Sequence, residues 1–171
     1  LYDVRGPVLD EATRMEQAGT HILKLNIGNP APFGFRAPDE VIYDMGQQLT
    51  QCEGYSDSCG LFSARKAIMQ YAQLKGIPGV EIQDIYTGNG VSELINLSLS
   101  ALLDAGDEVL IPQPSYVSYE PCAVLAGATP VIIDLKAENE FRLTAEELEA
   151  AITDKTKVLI LPFPNNPTGA I

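Results

Sequence analysis

Three segments of the sequence carry residues that could bind a ligand, and each follows a short apolar run. Residues 87–93 read Thr-Gly-Asn-Gly-Val-Ser-Glu and lead directly into a predicted helix. Tyr116 comes shortly after the proline-stiffened residues 112–114, and Asn166 lies between prolines in residues 164–167. The carboxyl ends of parallel strands meet at one edge of a sheet, so these segments are expected to converge there.

The first segment is suited to hold a phosphate group. Glycines let the backbone turn tightly, and the N-terminus of the following helix offers unpaired amides and a positive dipole end. The segment departs from the dinucleotide fingerprint Gly-x-Gly-x-x-Gly because Glu93 occupies the place of the third glycine. Residues 112–114, at the end of the next strand, supply no acid for a ribose. A lone phosphate is therefore favoured over NAD or a flavin dinucleotide, and a plain glycine turn is the alternative.

The other two segments add a flat ring and a fixed amide. Tyr116 can stack on a planar ligand, although an aromatic residue at a helix start also serves for packing. Asn166 can present its side-chain amide as a hydrogen-bond donor, although Asn-Pro pairs commonly mark turns. The convergence of all three on one sheet edge favours the ligand-binding interpretation.

Alternating helices and short apolar strands predict an α/β fold with a mostly parallel sheet covered on both faces. The spacing predicts helices over residues 7–18, 38–49, 61–75, 91–103, 116–125 and 144–151, and strands over 21–27, 85–87, 109–111, 131–133 and 158–161. Thr144 and Glu147 have the spacing of a capping box at the start of the last helix.

Composition narrows the possible partners. The 171 residues are 46% hydrophobic, which suits a globular core, and the formal net charge of -12 disfavours nucleic acid and anionic membranes. No apolar run reaches the roughly 18 residues of a membrane span. Three cysteines without Cys-x-x-Cys spacing and one histidine indicate neither a metal site nor a disulfide framework, so the cytoplasm is the expected compartment. Because Leu1 is no initiator and Ile171 falls in a predicted loop, we expect a fragment of a longer chain.

The chain resembles the pyridoxal-phosphate-dependent aminotransferases of fold type I, class I/II, over essentially its whole length. The resemblance is carried by residues 2–7, 25–35, 54–58 and 87–94, which are similar to bacterial alanine aminotransferases, and by Asn-Asn-Pro-Thr-Gly at residues 165–169. It implies an N-terminal arm and part of a small domain in residues 1–50, and the first half of the large cofactor domain in residues 51–171. It also implies a homodimer that acts on an amino acid and a 2-oxo acid.

The resemblance also assigns roles to individual positions. Gly90, Val91 and Ser92 match the segment that binds the cofactor phosphate. Tyr116 matches the aromatic residue that stacks on the cofactor ring, and Asn166 matches the residue that donates a hydrogen bond to the phenolic oxygen of that ring. Tyr55 matches a tyrosine that reaches the cofactor phosphate of the partner subunit, Gly28 a glycine beside the substrate carboxylate, and Arg5 a substrate contact whose alternative is a surface charge.

No catalytic residue is predicted within the chain, because the family's Schiff-base lysine lies downstream of Ile171. The resemblance therefore implies a parent aminotransferase with a suspected alanine-like donor, and a 171-residue chain that is inactive alone. The alternatives are a pyridoxal-phosphate-dependent carbon–sulfur lyase, a related fold-type I enzyme such as a decarboxylating synthase, and a non-catalytic α/β module that binds a phosphate ligand.

Overall fold

The computed structural model describes residues 6–24 and 28–171 and divides the chain into two compact units, Leu1–Ser56 and Asp57–Ile171. The described part of the first unit contains helices α1 (Gly6–Gln17) and α2 (Asp39–Gln48). Both helices confirm the sequence prediction. The short strand expected over 21–27 is wrong for residues 21–24, which are not in a strand, and its remainder lies outside the described residues. Alternating side chains do not make a strand unless a neighbouring strand pairs with them.

The second unit contains the sheet and four longer helices. Its elements are α3 (Phe62–Leu74), α4 (Val91–Leu102), β1 (Glu108–Gln113), α5 (Tyr119–Leu125), β2 (Thr129–Asp134), α6 (Ala145–Ala151) and β3 (Thr156–Leu159). Thr144 caps α6 in the predicted capping box, with its hydroxyl accepting from the Glu147 N–H at 3.2 Å. None of the helices in the described ranges is long and apolar enough to cross a membrane.

The sheet is parallel throughout, with strand order β2-β1-β3, which confirms the predicted fold class. Its central strand β1 holds the largest fully buried side chains of the described residues, Val109, Leu110 and Ile111, at 0%, 1% and 0% exposure. A strand with neighbours on both sides and helices on both faces is hydrophobic at successive positions, as this one is.

Helices cover both faces of the sheet. Leu99 of α4 and Ala123 of α5 pack with Val109 and Ile111 in one apolar cluster. Helix α6 packs against β2. The chain crosses from β1 to β2 in one direction and from β2 to β3 in the other. Right-handed crossovers therefore place α5 and α6 on opposite faces.

Two further predicted elements, both in the second unit, differ in the structure. Residues 85–87 are not a strand: among the described residues they pair with no other strand, and the Thr87 N–H instead donates to the Cys59 carbonyl at 3.0 Å. Of these residues only Ile85 is buried, at 8% exposure, whereas Tyr86 is 65% exposed. The helix expected from Tyr116 begins at Tyr119, because Tyr116 begins a turn that the Tyr119 N–H closes by donating to the Tyr116 carbonyl at 3.2 Å.

Pro112 interrupts the pairing of β1 with β3. Even-numbered residues of β1 face β3, since Glu108 N–H donates to Lys155 at 2.8 Å and the Leu110 carbonyl accepts from Ile160 at 3.0 Å. Pro112 comes next on that side and has no N–H to donate. The position of Pro112 explains why the pairing of β1 with β3 ends at Leu110. At the carboxyl edge of the sheet, the segments that follow β1 and β3 are therefore not joined by strand pairing.

Candidate functional site

The start of helix α4 offers hydrogen-bond donors that the chain itself leaves unused. Gly90 is the N-cap residue, with φ 86° and ψ 167°, a conformation open essentially only to glycine. No side chain caps this helix end. Among the described residues, no acceptor is bonded to the backbone N–H groups of Gly90, Val91 and Ser92. Exposed N–H groups at the start of a 12-residue helix form an anion-binding arrangement.

Glu93 closes the turn that precedes this helix. Its Oε2 accepts a hydrogen bond from the Asn89 backbone N–H, four residues earlier. The Asn89 backbone N–H is thereby occupied, and the backbone N–H groups without an acceptor are those of the next three residues. From the sequence, Glu93 was interpreted only as a departure from the dinucleotide fingerprint. Its position in the first helical turn, where a carboxylate can bond to backbone N–H groups, was the signal for this role.

Tyr116 lies next to the start of α4. Its phenolic oxygen is 3.4 Å from the Ser92 hydroxyl oxygen, so the predicted phosphate segment and the predicted stacking ring are brought together. The Tyr119 ring meets the Tyr116 ring edge-to-face, with centroids 5.6 Å apart and an interplanar angle of 80°. This contact fixes the Tyr116 ring from one side while leaving it half-buried.

The surroundings of Tyr116 and Tyr119 shift the pKa values of the two phenols in opposite directions. Hydrogen bonds with the Ser118 hydroxyl, and to a smaller extent the Ser92 hydroxyl, lower the pKa of Tyr116. Burial raises the pKa of Tyr119. The Tyr116 phenol is thus the polar, hydrogen-bonded member of the pair and Tyr119 the packing member.

The loop after β3 places Asn166 on the surface beside the segment after β1. The Asn166 side chain is exposed and, among the described residues, has no hydrogen-bond partner. Its neighbour Asn165 is half-buried and donates from Nδ2 to the Pro114 carbonyl at 2.9 Å. This bond connects the two segments that precede Tyr116 and Asn166. No role for Asn165 is predictable from the sequence, because adjacent asparagines in a turn have no periodicity that shows which of them faces inward.

The remaining predicted site residues belong to the first unit or lie outside the described ranges. Gly28 and Tyr55 are exposed, and Tyr55 is 110% exposed relative to its reference state. Arg5 lies outside the described residues. Within the described ranges, no three His, Cys, Asp or Glu side chains come together as a metal site would require, and the three cysteines are unpaired.

Comparison with known proteins supplies an independent finding. Residues 20–171 match a family model described as "Aminotransferase class I and II". The chain is 51% identical over 170 residues to the glutamate-pyruvate aminotransferase AlaA of Haemophilus influenzae, which covers 99% of the chain and 42% of that protein. It is 50% identical over 172 residues to the alanine aminotransferase of Mycobacterium bovis, covering 100% of the chain and 40% of that protein.

Solved structures give the same result for the fold. An aminotransferase from Escherichia coli superposes with a TM-score of 0.89 at 48% identity, covering 97% of this chain and 41% of that one. An alanine aminotransferase from Pyrococcus furiosus also superposes with a TM-score of 0.89, at 33% identity, covering 96% of this chain and 42% of that one. The chain therefore spans about two fifths of the length of the proteins it matches.

Proposed function

Because the chain belongs to the class I and II aminotransferase family, we propose that it is part of an enzyme that transfers an amino group between an amino acid and a 2-oxo acid with pyridoxal phosphate. The observation that carries the cofactor assignment is the 3.4 Å approach of Ser92 to Tyr116 beside the unused amides of α4. It puts phosphate donors and an aromatic face within reach of one small ligand that has both a phosphate and a flat ring.

Each proposed contact uses a different property of the chain. The amides of Gly90, Val91 and Ser92 and the Ser92 hydroxyl would bind the phosphate, and the helix dipole would stabilise its charge. The Tyr116 ring would lie against the pyridine ring, and the Asn166 amide would donate to the ring's phenolic oxygen. When bound, pyridoxal phosphate serves as an electron sink for the substrate's α-carbon, and the chain's part is to hold it in place.

The proposed amino donor is alanine or a similar small amino acid. The support is that relatives about 50% identical over nearly the whole chain bear the names alanine or glutamate-pyruvate aminotransferase. Gly28 is proposed to lie beside the substrate carboxylate, and Arg5 to contact substrate. The division into an arm with part of the small domain, residues 1–50, and the first half of the cofactor domain, residues 51–171, remains part of this proposal.

Two other functions use the same site. A carbon–sulfur lyase would share the cofactor contacts but release a thiol, and a non-catalytic module would bind the phosphate ligand without turnover. The discriminating experiment incubates the whole protein with pyridoxal phosphate, alanine and 2-oxoglutarate and measures pyruvate and glutamate. Equal formation of both products supports the proposal. Thiol release from a cysteine conjugate without amino transfer, or cofactor binding without any product, would identify one of the alternatives.

Replacing Ser92 by alanine in the whole protein should weaken pyridoxal phosphate binding roughly tenfold, because one charge-assisted hydrogen bond is lost. The measurement is a fluorescence titration of the cofactor-free protein. Ser100→Ala is the matched control, since it makes the same change on the exposed surface of the same helix. Equal affinity in the two variants, or saturable binding of NAD by the unmodified protein, would contradict the phosphate assignment.

The whole protein is further proposed to be a homodimer in which Tyr55 reaches the cofactor phosphate of the other subunit. Its complete exposure within its own unit is consistent with a contact made elsewhere. Mixing Tyr55→Phe subunits with subunits lacking the cofactor-binding lysine should give hybrids in which one of the two sites has neither defect. Activity above that of both parents is the expected result of the mixing assay. If the hybrids are no more active than either parent, Tyr55 does not act in the site of the other subunit. It then either belongs to the site of its own subunit or to no active site.

A further inference from the structure

The side chain of Asn165 bridges two loops that are 51 residues apart in the sequence. Its Nδ2 donates to the Pro114 carbonyl at 2.9 Å and to the Thr168 hydroxyl oxygen at 2.7 Å. Both donors of the amide are therefore used, one toward the segment after β1 and one within its own loop. The Thr168 oxygen accepts a second bond from the Ala170 N–H at 3.2 Å, which ties the loop together.

The backbone of the same loop is fixed independently. The Asn165 N–H donates to the Ala170 carbonyl at 2.9 Å, and the Asn165 carbonyl accepts from the Gly169 N–H at 2.8 Å. These two bonds hold the loop closed without using the side chain. The amide of Asn165 is thus available for the separate task of setting the distance between this loop and Pro114.

That distance is not fixed by the sheet. The ladder between β1 and β3 ends at Leu110, because Pro112 has no N–H for the β3 side. Beyond it, the Asn165 bond to Pro114 joins the segment that leads to Tyr116 with the segment that holds Asn166. Pro114 lies two residues before Tyr116, and Asn165 lies directly before Asn166.

We propose that Asn165 is a positioning residue that aligns the Asn166 amide with the Tyr116 ring, so that both contact one ligand ring. The proposal rests on the proposed function, since it takes pyridoxal phosphate as that ligand. Asn165 itself does not touch the cofactor. It acts through the Pro114 carbonyl and the Thr168 hydroxyl.

The decisive variant is Asn165→Asp in the whole protein. A carboxylate of the same shape keeps the volume but donates no hydrogen bond, and one of its oxygens would face the Pro114 carbonyl oxygen. The two loops should separate. Pyridoxal phosphate should then bind roughly tenfold more weakly, as expected for the loss of hydrogen bonds and the repulsion that replaces them.

A second readout distinguishes alignment from general loosening. A donor to the phenolic oxygen of the bound cofactor favours the deprotonated form, so displacing Asn166 should raise the pH midpoint of the cofactor's visible absorption change. The expected shift in Asn165→Asp is roughly half a pH unit or more. Asn139→Asp is the matched control, because Asn139 also donates from Nδ2 to a backbone carbonyl, that of Arg142 at 3.2 Å, in another turn of the same unit. Its affinity and pH midpoint should equal those of the unmodified protein.

Thr168 provides a test that does not depend on how well Asn165→Asp folds. Thr168→Val removes the hydroxyl that anchors the Asn165 amide, and Thr168→Ser restores it. The valine variant should lose roughly threefold in affinity and shift the pH midpoint upward, while the serine variant should match the unmodified protein.

The outcomes separate this proposal from the function on which it rests. If the unmodified protein binds no pyridoxal phosphate, the proposed function is wrong. If it binds the cofactor while Asn165→Asp keeps the same affinity and pH midpoint, even with a lower melting temperature, Asn165 has only a structural role. If Asn165→Asp does not fold, identical affinities and pH midpoints for the Thr168→Val and Thr168→Ser variants overturn the proposal.

Discussion

Replacing Gly60 by alanine should lower the free energy of unfolding of Asp57–Ile171 by about 3 kcal/mol or more. A Cβ atom on Gly60 would lie 1.8 Å from the Thr87 hydroxyl oxygen and 3.0 Å from Thr87 Cβ, and the residue has φ +104°. The Cys59 carbonyl next to it accepts the Thr87 N–H at 3.0 Å, so the two segments cannot move apart without losing that bond. Urea unfolding, followed by circular dichroism, measures the loss.

Gly76→Ala is the matched control for this prediction. Gly76 also has a positive φ, of +72°, but a Cβ atom there meets nothing within 4 Å. Gly76→Ala should lower the free energy of unfolding by about 1 to 2 kcal/mol, which is the cost of placing a side chain at a positive φ without a clash. Combining Gly60→Ala with Thr87→Gly removes the clashing side chain and should recover stability relative to the two single changes. Equal losses in Gly60→Ala and Gly76→Ala would show that the contact with Thr87 does not restrict this position.

Replacing Ile111 by alanine should destabilise the sheet by about 2 to 5 kcal/mol, because a cavity forms where a fully buried side chain was removed. Ile111 is 0% exposed at the centre of β1 and packs with Leu99 and Ala123. Ile132 of β2 is its partner in the parallel register and is 37% exposed. Ile132→Ala should therefore have a clearly smaller effect.

The two isoleucine variants are compared by urea unfolding, and the difference between them reports on how deeply the two side chains are buried. Equal losses of unfolding free energy would contradict the deeper burial of Ile111.

The sequence was sufficient to predict the fold class because burial leaves a clear pattern. Continuous apolar runs at 109–111 and 131–133 lie within β1 and β2. The run at 158–161 only overlaps β3, which is Thr156–Leu159, so Ile160 and Leu161 lie beyond the end of the strand. The run at 85–87 has the same pattern but no strand beside it in the described chain, where the Thr87 N–H bonds to the Cys59 loop. Apolar content predicts that a segment is buried, whereas a strand also requires a partner that lies far away in the sequence.

The residue types of the candidate site could be predicted from the sequence, but the hydrogen bonds between its residues could not. Ser92 and Tyr116 were identified separately, and the structure brings their oxygens to 3.4 Å. Glu93 and Asn165 were not identified from the sequence, because what marks them is their hydrogen bonds. Glu93 accepts from the Asn89 N–H, and Asn165 donates to the Pro114 carbonyl and the Thr168 hydroxyl oxygen. Residue type and spacing identify groups that can bind a ligand, but the side chains that hold such groups in place are specified by three-dimensional proximity.

For the proposed binding of a phosphate ligand at the start of α4, the Glu93 bond to the Asn89 backbone N–H has a consequence for the association rate. Because the chain closes this turn by itself, the entropy of ordering it is lost during folding and not during binding. Association with a phosphate ligand then needs no separate loop-closing event, and its observed rate should increase in proportion to ligand concentration. The formal net charge of these 171 residues, -12, repels a dianion at long range, so for this part of the protein added salt should accelerate the encounter by screening the repulsion. We therefore expect association of the proposed phosphate ligand to be limited by diffusion and to depend on ionic strength.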